Sequence, residues 1–489
     1  MTSPPLPRSL AELESLLARD LVLLQEPAKD WVPPRRHPTL GPMLDVAIVG
    51  AGMAGLAAAF RLRRLGLRRL RIYDRGRSGF EGPWATYARM ETLRSPKELV
   101  GPAIGLPNLT FRAWWEARHG QASFDAIYRI PRLDWMEYLR WYGRVAGVPV
   151  ESETEMVDLD GDANGVVATF RSAAGERRVA ARRLILATGR DGLGGPYIPP
   201  PFRGLPAAHV AHSSDPVDFG RLAGRDVAVL GAGASAIDNA AEALEAGART
   251  VTLLVRRAGI PRVNKGMGIS SPGISLGFFD LPDAERWAIN QYIADEAIPP
   301  PRNSMQRVGR HANFAVLTDC GIDGAAIENG RLALATTRGQ LTFDFAVLGT
   351  GFTGDWERRP ELAKLRDKVL LWRDRYAPPG EKGSAFAAEP YLGPAFEFIA
   401  REPGGLPWAG RLHCFNFAAT LSHGKVTGDV PAISVGADRV ADGIVGLLFR
   451  EDYAEHFRRL VAYDTPELQG DEWSGESSGL RNAPRRAAE

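Results

Sequence analysis

Two stretches of this 489-residue chain place glycines where chemistry on a dinucleotide needs them. The first runs from the apolar VAIV into Gly50-Ala51-Gly52-Met53-Ala54-Gly55, and Asp74 closes the next apolar run. In such a turn the first glycine allows the tight reversal and the second lets backbone approach a pyrophosphate. The third lets the following helix pack on the strand. The helix N-terminus then offers unpaired N–H groups and the positive end of its dipole to the phosphates, and an acidic side chain at Asp74 accepts hydrogen bonds from ribose hydroxyls. The second stretch runs from VAVL into Gly231-Ala232-Gly233-Ala234-Ser235-Ala236, with Ala in the third glycine's place. There the counterpart of Asp74 is Arg256, followed by Arg257. A carboxylate repels a 2′-phosphate, whereas a guanidinium pairs with one. By charge, the first turn suits a plain adenosine ribose and the second a 2′-phosphorylated one: FAD first, with Arg75 beside Asp74, and NADPH second. The competing reading of Arg256 and Arg257 is a solvated strand end.

The elements that must hold these residues are strand, turn and helix, twice over, so the expected fold class is α/β with two Rossmann-like dinucleotide-binding domains. The spacing predicts an N-terminal helical arm and linker over 1–43, with Ser9 as a cap. The first part of the FAD-binding domain follows over 44–195. A Pro-rich crossing, GPYIPPPFRGLP, leads into an NADPH-binding domain over 196–340 that carries an insertion at 258–312. The FAD-binding domain resumes over 341–450, and a polar tail covers 451–489. Asn329-Gly330 is a hairpin signal.

Composition narrows the function. A formal net charge of +2 gives no field toward nucleic acid or an anionic membrane. The two cysteines, Cys320 and Cys414, stand far apart, which excludes a disulfide framework, a cysteine zinc site and a vicinal redox dithiol. No metal-ligand cluster stands out among the eight histidines. The N-terminus has no apolar core of a signal peptide, and no apolar run is long enough to span a bilayer. The expectation is a cytoplasmic protein with no membrane or nucleic-acid partner, acting on a small molecule with O2; the assembly left open is a homodimer.

Further motifs carry a family resemblance. EGPW (Glu81–Trp84), LRSPKELVG (Leu93–Gly101), LILATG (Leu184–Gly189), FRGLPAAHVAHSSD (Phe202–Asp215), the second glycine motif and FAVLGTGF (Phe345–Phe352) together resemble the class B flavin monooxygenases over about residues 44–450. The resemblance implies that Trp84, Thr188, Gly189, Gly351 and Asp429 lie at the cofactors. It also implies that His212 belongs to the fingerprint before the NADPH strand and that Arg94 stands where the family has an Asn serving NADP and oxygen. Arg94 and His212 are therefore the catalytic candidates. The sequence departs from the pattern in three places: seven residues separate Gly204 from His212, the closing aromatic is missing, and so is the Trp of Baeyer–Villiger members. The implied reaction is oxygenation of a nucleophilic heteroatom through a flavin C4a-peroxide. The alternatives are a Baeyer–Villiger enzyme and a reductase passing electrons to a partner. Arg89, Arg94, Lys97, Lys265, Arg302, Arg307 and Arg310 suggest an anionic substrate such as a carboxylated amine. Each also has an ordinary reading: Trp84 as core, His212 as a linker histidine, Asp429 as a helix-start acid, and the cations as surface or phosphate-binding groups.

Overall fold

A computed structural model describes residues 7–379, 384–469 and 471–472. Runs of β-branched and apolar residues too short for helices form two largely parallel sheets. In the first, Leu44–Val49 lies between Leu70–Tyr73 and Gly175–Leu186, with Val150–Glu151 outside the former, all parallel. Val166–Ser172 and Glu155–Gly161 extend the sheet antiparallel, and Leu412–His413 returns from far along the chain to pair parallel with Gly175–Leu186. The second sheet is parallel throughout, in the order Val210–His212, Phe345–Leu348, Asp226–Leu230, Thr250–Leu254, Phe314–Leu317.

Parallel strands are covered on both faces, so they read as unbroken apolar runs. Helix Met53–Arg64 covers the first sheet. Its small residues Ala54, Gly55, Ala57, Ala58 and Ala59 are all buried, and it packs against helix Ile433–Glu451. The second sheet is sandwiched. Helix Ala234–Glu245 lies on one face with Arg302–Gly309 docked on it, and the antiparallel sheet Ile322–Glu328, Arg331–Thr336, Gly339–Phe343 lies on the other. The Asn329-Gly330 turn has positive φ at both residues, the geometry that matches hairpin twist. The N-terminal arm is helical over Leu10–Leu23, with Ser9 accepting from the Glu12 N–H and Leu13 and Leu17 buried. Among the described residues no helix is long and apolar enough to cross a membrane.

Two expectations about boundaries change. Strand Phe345–Leu348, assigned from sequence to the returning FAD segment, is hydrogen-bonded inside the second sheet, so the chain crosses back only after Leu348. The two crossings are zipped together, Phe352 opposite Pro196 and Thr353 opposite Gly195. The expected tail from 451 begins with a helix, Tyr453–Ala462, and its residues from 473 lie outside those described.

Asp452, which follows helix Ile433–Glu451, binds it to the first sheet. Its carboxylate accepts from Arg182 at 2.7 Å and from Arg35 at 2.5 Å, and neither Asp452 nor Arg182 is more than 1% exposed. Burial pushes this carboxyl up, but the bonds and charges of Arg182 and Arg35 prevail and hold it below its usual range. Asp452→Ala leaves buried Arg182 with only Glu451, at 3.3 Å, as a counter-charge and is expected to destabilise the fold by up to about 3–5 kcal/mol in denaturant unfolding. Because the folded carboxyl is the stronger acid, this pair contributes fully above the unfolded Asp value. Its contribution is lost as pH falls below about 4, and the variant loses that part of the acid sensitivity.

Candidate functional site

The first glycine turn is built by steric exclusion. Gly50 ends strand Leu44–Val49 at φ +108°, and a Cβ there would lie 2.4 Å from the Ala187 carbonyl oxygen. A Cβ on Gly55 would lie 1.9 Å from the Gly50 carbonyl oxygen. At Gly52 no atom lies within 4 Å of a Cβ position, and Gly52 caps the helix with no side-chain hydrogen bond. The amides of the helix start are thus open at the place a pyrophosphate requires, and the residues present fit a dinucleotide. Asp74 accepts from the Ala51 N–H at 2.7 Å and the Gly76 N–H at 2.6 Å. It steadies the turn, and each oxygen keeps a lone pair for a ribose hydroxyl. Arg75 is mostly exposed and pairs with Asp191 at 2.9 Å.

The neighbouring strand end, Ala187-Thr188-Gly189, is held by a residue the sequence reading missed. Asn416 donates to the Leu186 carbonyl and to Thr188 Oγ1, and accepts from the Ala418 N–H. It is fully buried and fastens the returning segment to the edge of the first site. A lone Asn after a cysteine carries no motif, so no local signal marked it. Trp84 is half-buried, edge-on to Trp135, with its carbonyl held by Arg132.

The second turn repeats the first. Gly231 has φ +116°, and a Cβ there would lie 2.5 Å from the Gly349 carbonyl oxygen. Gly233 is open, and Ala236 fills the third position with its methyl against Gly349. Ser235 is exposed in the first turn of the helix. The arginines after the next strand separate. Arg257 donates to the Asp295 carbonyl at 2.6 Å, whereas Arg256 is exposed with no partner among the described residues.

His212 does not behave as a catalytic group. It is 1% exposed; Nδ1 accepts from the Ser214 N–H, and Nε2 lies 2.9 Å from the carbonyl oxygen of Gly351, to which it donates. Burial pushes its pKa down, so it is a neutral strut between the second sheet and the Gly351 turn, with no free nitrogen for substrate. The cations also sort. Arg307 is buried between Glu242 and Glu245 and donates to the Arg89 carbonyl, so it joins the insertion to both domains. Arg89 bonds the Thr86 carbonyl, and Lys97 bonds the carbonyls of Phe124 and Asp125. Arg302 and Arg310 line an open depression on helix Arg302–Gly309, and Lys265 is exposed.

Arg94 lies in an exposed patch of charged groups. Asp429 faces Lys425, Arg94 and Arg190; burial pushes its carboxyl up, and these three cations pull it down. Burial lowers the pKa of each of the three cations. All four residues are exposed, so together they form a charged surface patch. Asp429 stands at the start of the turn leading into helix Ile433–Glu451, as the helix-start reading expects, but makes no side-chain capping hydrogen bond.

The pyridine nucleotide-disulfide oxidoreductase family matches residues 44–268, the part that carries both turns. Over 465 residues, 94% of this chain and 98% of the relative, the sequence is 41% identical to the FAD-dependent urate hydroxylase of Xanthomonas campestris pv. campestris. The chain belongs to this family of FAD-dependent hydroxylases. It is a flavin-dependent oxidoreductase of the monooxygenase kind, as the class B resemblance implies. Among solved structures, the ornithine hydroxylase of Pseudomonas aeruginosa superposes with a TM-score of 0.65 at 17% identity, covering 83% of this chain and 100% of that one. The ornithine N-hydroxylase of Kutzneria sp. 744 gives 0.62 at 18%, covering 84% and 100%. At such identities the likeness concerns the fold. The dithiol chemistry in the matching family's name has no counterpart here, since both cysteines are buried and unpaired.

The two glycines separate binding from folding. Gly52→Val is expected to fold normally yet purify without the yellow flavin absorbance, because its side chain fills open space that the pyrophosphate needs. Gly55→Val is expected to fail as a folded protein, because its side chain has nowhere to go. Circular dichroism together with the flavin spectrum of each variant checks both outcomes.

Proposed function

We propose that the protein hydroxylates urate or a closely similar planar, anionic oxo-heterocycle, with FAD at the first glycine turn, NADPH at the second and O2 as co-substrate. The observation that carries this reading is the 41% identity, along nearly the whole of both chains, to an enzyme of that activity. In the balance, two electrons come from NADPH, one oxygen atom enters the substrate, and the other leaves as water with the proton taken up. Bound FAD supplies the redox chemistry, accepting hydride from the nicotinamide and activating O2.

The chain's own residues do the rest. The open amides at Gly52 and Gly233 seat the two pyrophosphates. Arg256, free where Arg257 is occupied, is the group for the 2′-phosphate. The patch bearing Arg94, Arg190 and Lys425 against Asp429 attracts an anion and repels an ammonium. Oxygenation of a protonated amine also needs a base, whereas the described site offers no free imidazole: His212, His413 and His423 are buried and bonded to backbone, with burial lowering each. An electron-rich anion needs no such base. N-oxygenation of a carboxylated amine is the second reading; Arg94 favours it, since one guanidinium fork holds a carboxylate.

The deciding measurement is consumption of urate with equimolar NADPH and O2. If urate leaves NADPH oxidation unstimulated while a carboxylated amine yields an N-hydroxy product, the second reading replaces the first. If no substrate is oxygenated and electrons reach only an added acceptor, the protein is a reductase. NADPH is expected to be used about tenfold or more better than NADH, the scale of a charge-assisted phosphate contact. Arg256→Ala is expected to abolish that preference, and equal use of both coenzymes by the wild type would refute the assignment.

A further inference from the structure

Arg94 has a neighbour that the sequence reading did not weigh. Thr92 and Pro131 form an isolated antiparallel bridge, the Leu93 N–H donates to the Ile130 carbonyl at 2.8 Å, and the Arg132 N–H donates to the Glu91 carbonyl at 3.0 Å. Beyond this bridge both segments bend, and Arg94 and Arg129 lie close enough that the charge of Arg129 acts on Arg94. Like charges held close together are destabilising, and of the charged groups nearby Asp429 offsets that of Arg94. Arg94 spends one N–H on the Pro299 carbonyl. Arg129 has its Nε and Nη1 buried with no hydrogen-bond partner among the described residues, and its guanidinium lies 5.1 Å from the centre of the Tyr128 ring. Among the described residues neither arginine forms an ion pair. A buried N–H without an acceptor is costly, and more so when it carries charge.

The pair stands where three segments meet. Arg132, three residues on, donates to the carbonyls of Met90 and Trp84, fixing the pair to the loop that carries Trp84. Pro299 belongs to the insertion, and Asp429, which faces Arg94, begins the returning helix segment. Asp429 is shared with Lys425 and Arg190, so the patch keeps an excess of positive charge even with its own carboxylate counted.

We propose that Arg94 and Arg129 form a two-guanidinium clamp for the planar, delocalised anion of the substrate. The inference rests on the hydroxylase reading and adds the residues that select the substrate. Guanidinium forks match flat anions with adjacent oxygen and nitrogen acceptors, such as the edge of an oxo-heterocycle or a carboxylate. Such an anion offsets the two positive charges and screens them from each other. The 2′-phosphate of the coenzyme is the other source of negative charge, and Arg256 at the second turn already serves it.

The test titrates urate into the FAD-loaded enzyme and follows the flavin absorbance, for the wild type, Arg94→Gln, Arg129→Gln and Arg129→Lys. The clamp predicts a urate Kd raised about tenfold or more in both Gln variants, the scale of a charge-assisted hydrogen bond. The loss in Arg129→Lys should be smaller, and the KM for NADPH should stay within about twofold. An unchanged urate Kd in both Gln variants overturns the proposal, and so does a raised NADPH KM with unchanged urate binding, which would make the pair a coenzyme-phosphate reader. If wild type binds a carboxylated amine and not urate, the hydroxylase reading fails separately, and the same titration with that amine decides the clamp by the same criterion. If neither binds, the clamp falls with the function. Should the Gln variants not retain FAD, competition on the wild type decides: neutral N-methylated analogues of the ring should bind about tenfold more weakly than the anion, and equal binding overturns the clamp.

Discussion

The structure depends on one steric constraint used twice. At the first glycine of each turn, the carbonyl oxygen of a neighbouring strand end lies within 2.5 Å of where a Cβ would stand: Ala187 against Gly50, and Gly349 against Gly231. Only a bare backbone with φ above +100° fits there. That contact brings two parallel strand ends together and turns the chain sharply into a helix. The helix N-terminus then comes to lie over the sheet's edge with its amides free. Pyrophosphate recognition follows from packing before any ligand arrives.

With two such sites in one chain, their relative placement matters as much as either alone. Hydride transfer tolerates little misplacement of the reacting atoms. The chain fixes the placement with short-range ties across the crossings. Phe352–Thr353 pairs with Gly195–Pro196, His212 donates to the Gly351 carbonyl, and Thr350 bonds the Tyr197 carbonyl. A further tie runs through the insertion, where Arg307 joins Glu242 and Glu245 of the second domain to the Arg89 carbonyl of the first. His212 fits this scheme as a neutral strut, because its burial withholds the charge that catalysis would have used.

The charged patch works by the opposite logic. Several structural arginines are paired: Arg182 with Asp452, Arg64 with Glu26, Arg307 with two glutamates. In the patch, Arg94 and Arg129 lack ion pairs among the described residues, and Asp429 is shared among three cations. Cations partly removed from water without counter-ions carry an energetic cost. An anion bound there would offset that cost, as the proposed clamp requires.

By itself the sequence determined what depends on residues close in the chain. Both glycine turns, the acid–arginine difference after them, the Ser9 cap and the Asn329-Gly330 hairpin were legible, because a turn's φ requirement and a cap's reach span only a few residues. The cofactor types and the family resemblance followed from the same local patterns. Tertiary structure alone decided which sheet Phe345–Leu348 joins, because an apolar run fits any parallel sheet and register comes from distant partners. It also decided which arginine is free. Arg256 and Arg257 are adjacent letters, but only Arg257 meets the carbonyls ending a helix of the insertion. Asn416 at the first site and Arg129 near Arg94 carry no motif. Their roles come from hydrogen bonds and charge contacts between segments far apart in sequence, and spacing along the chain cannot encode such distances.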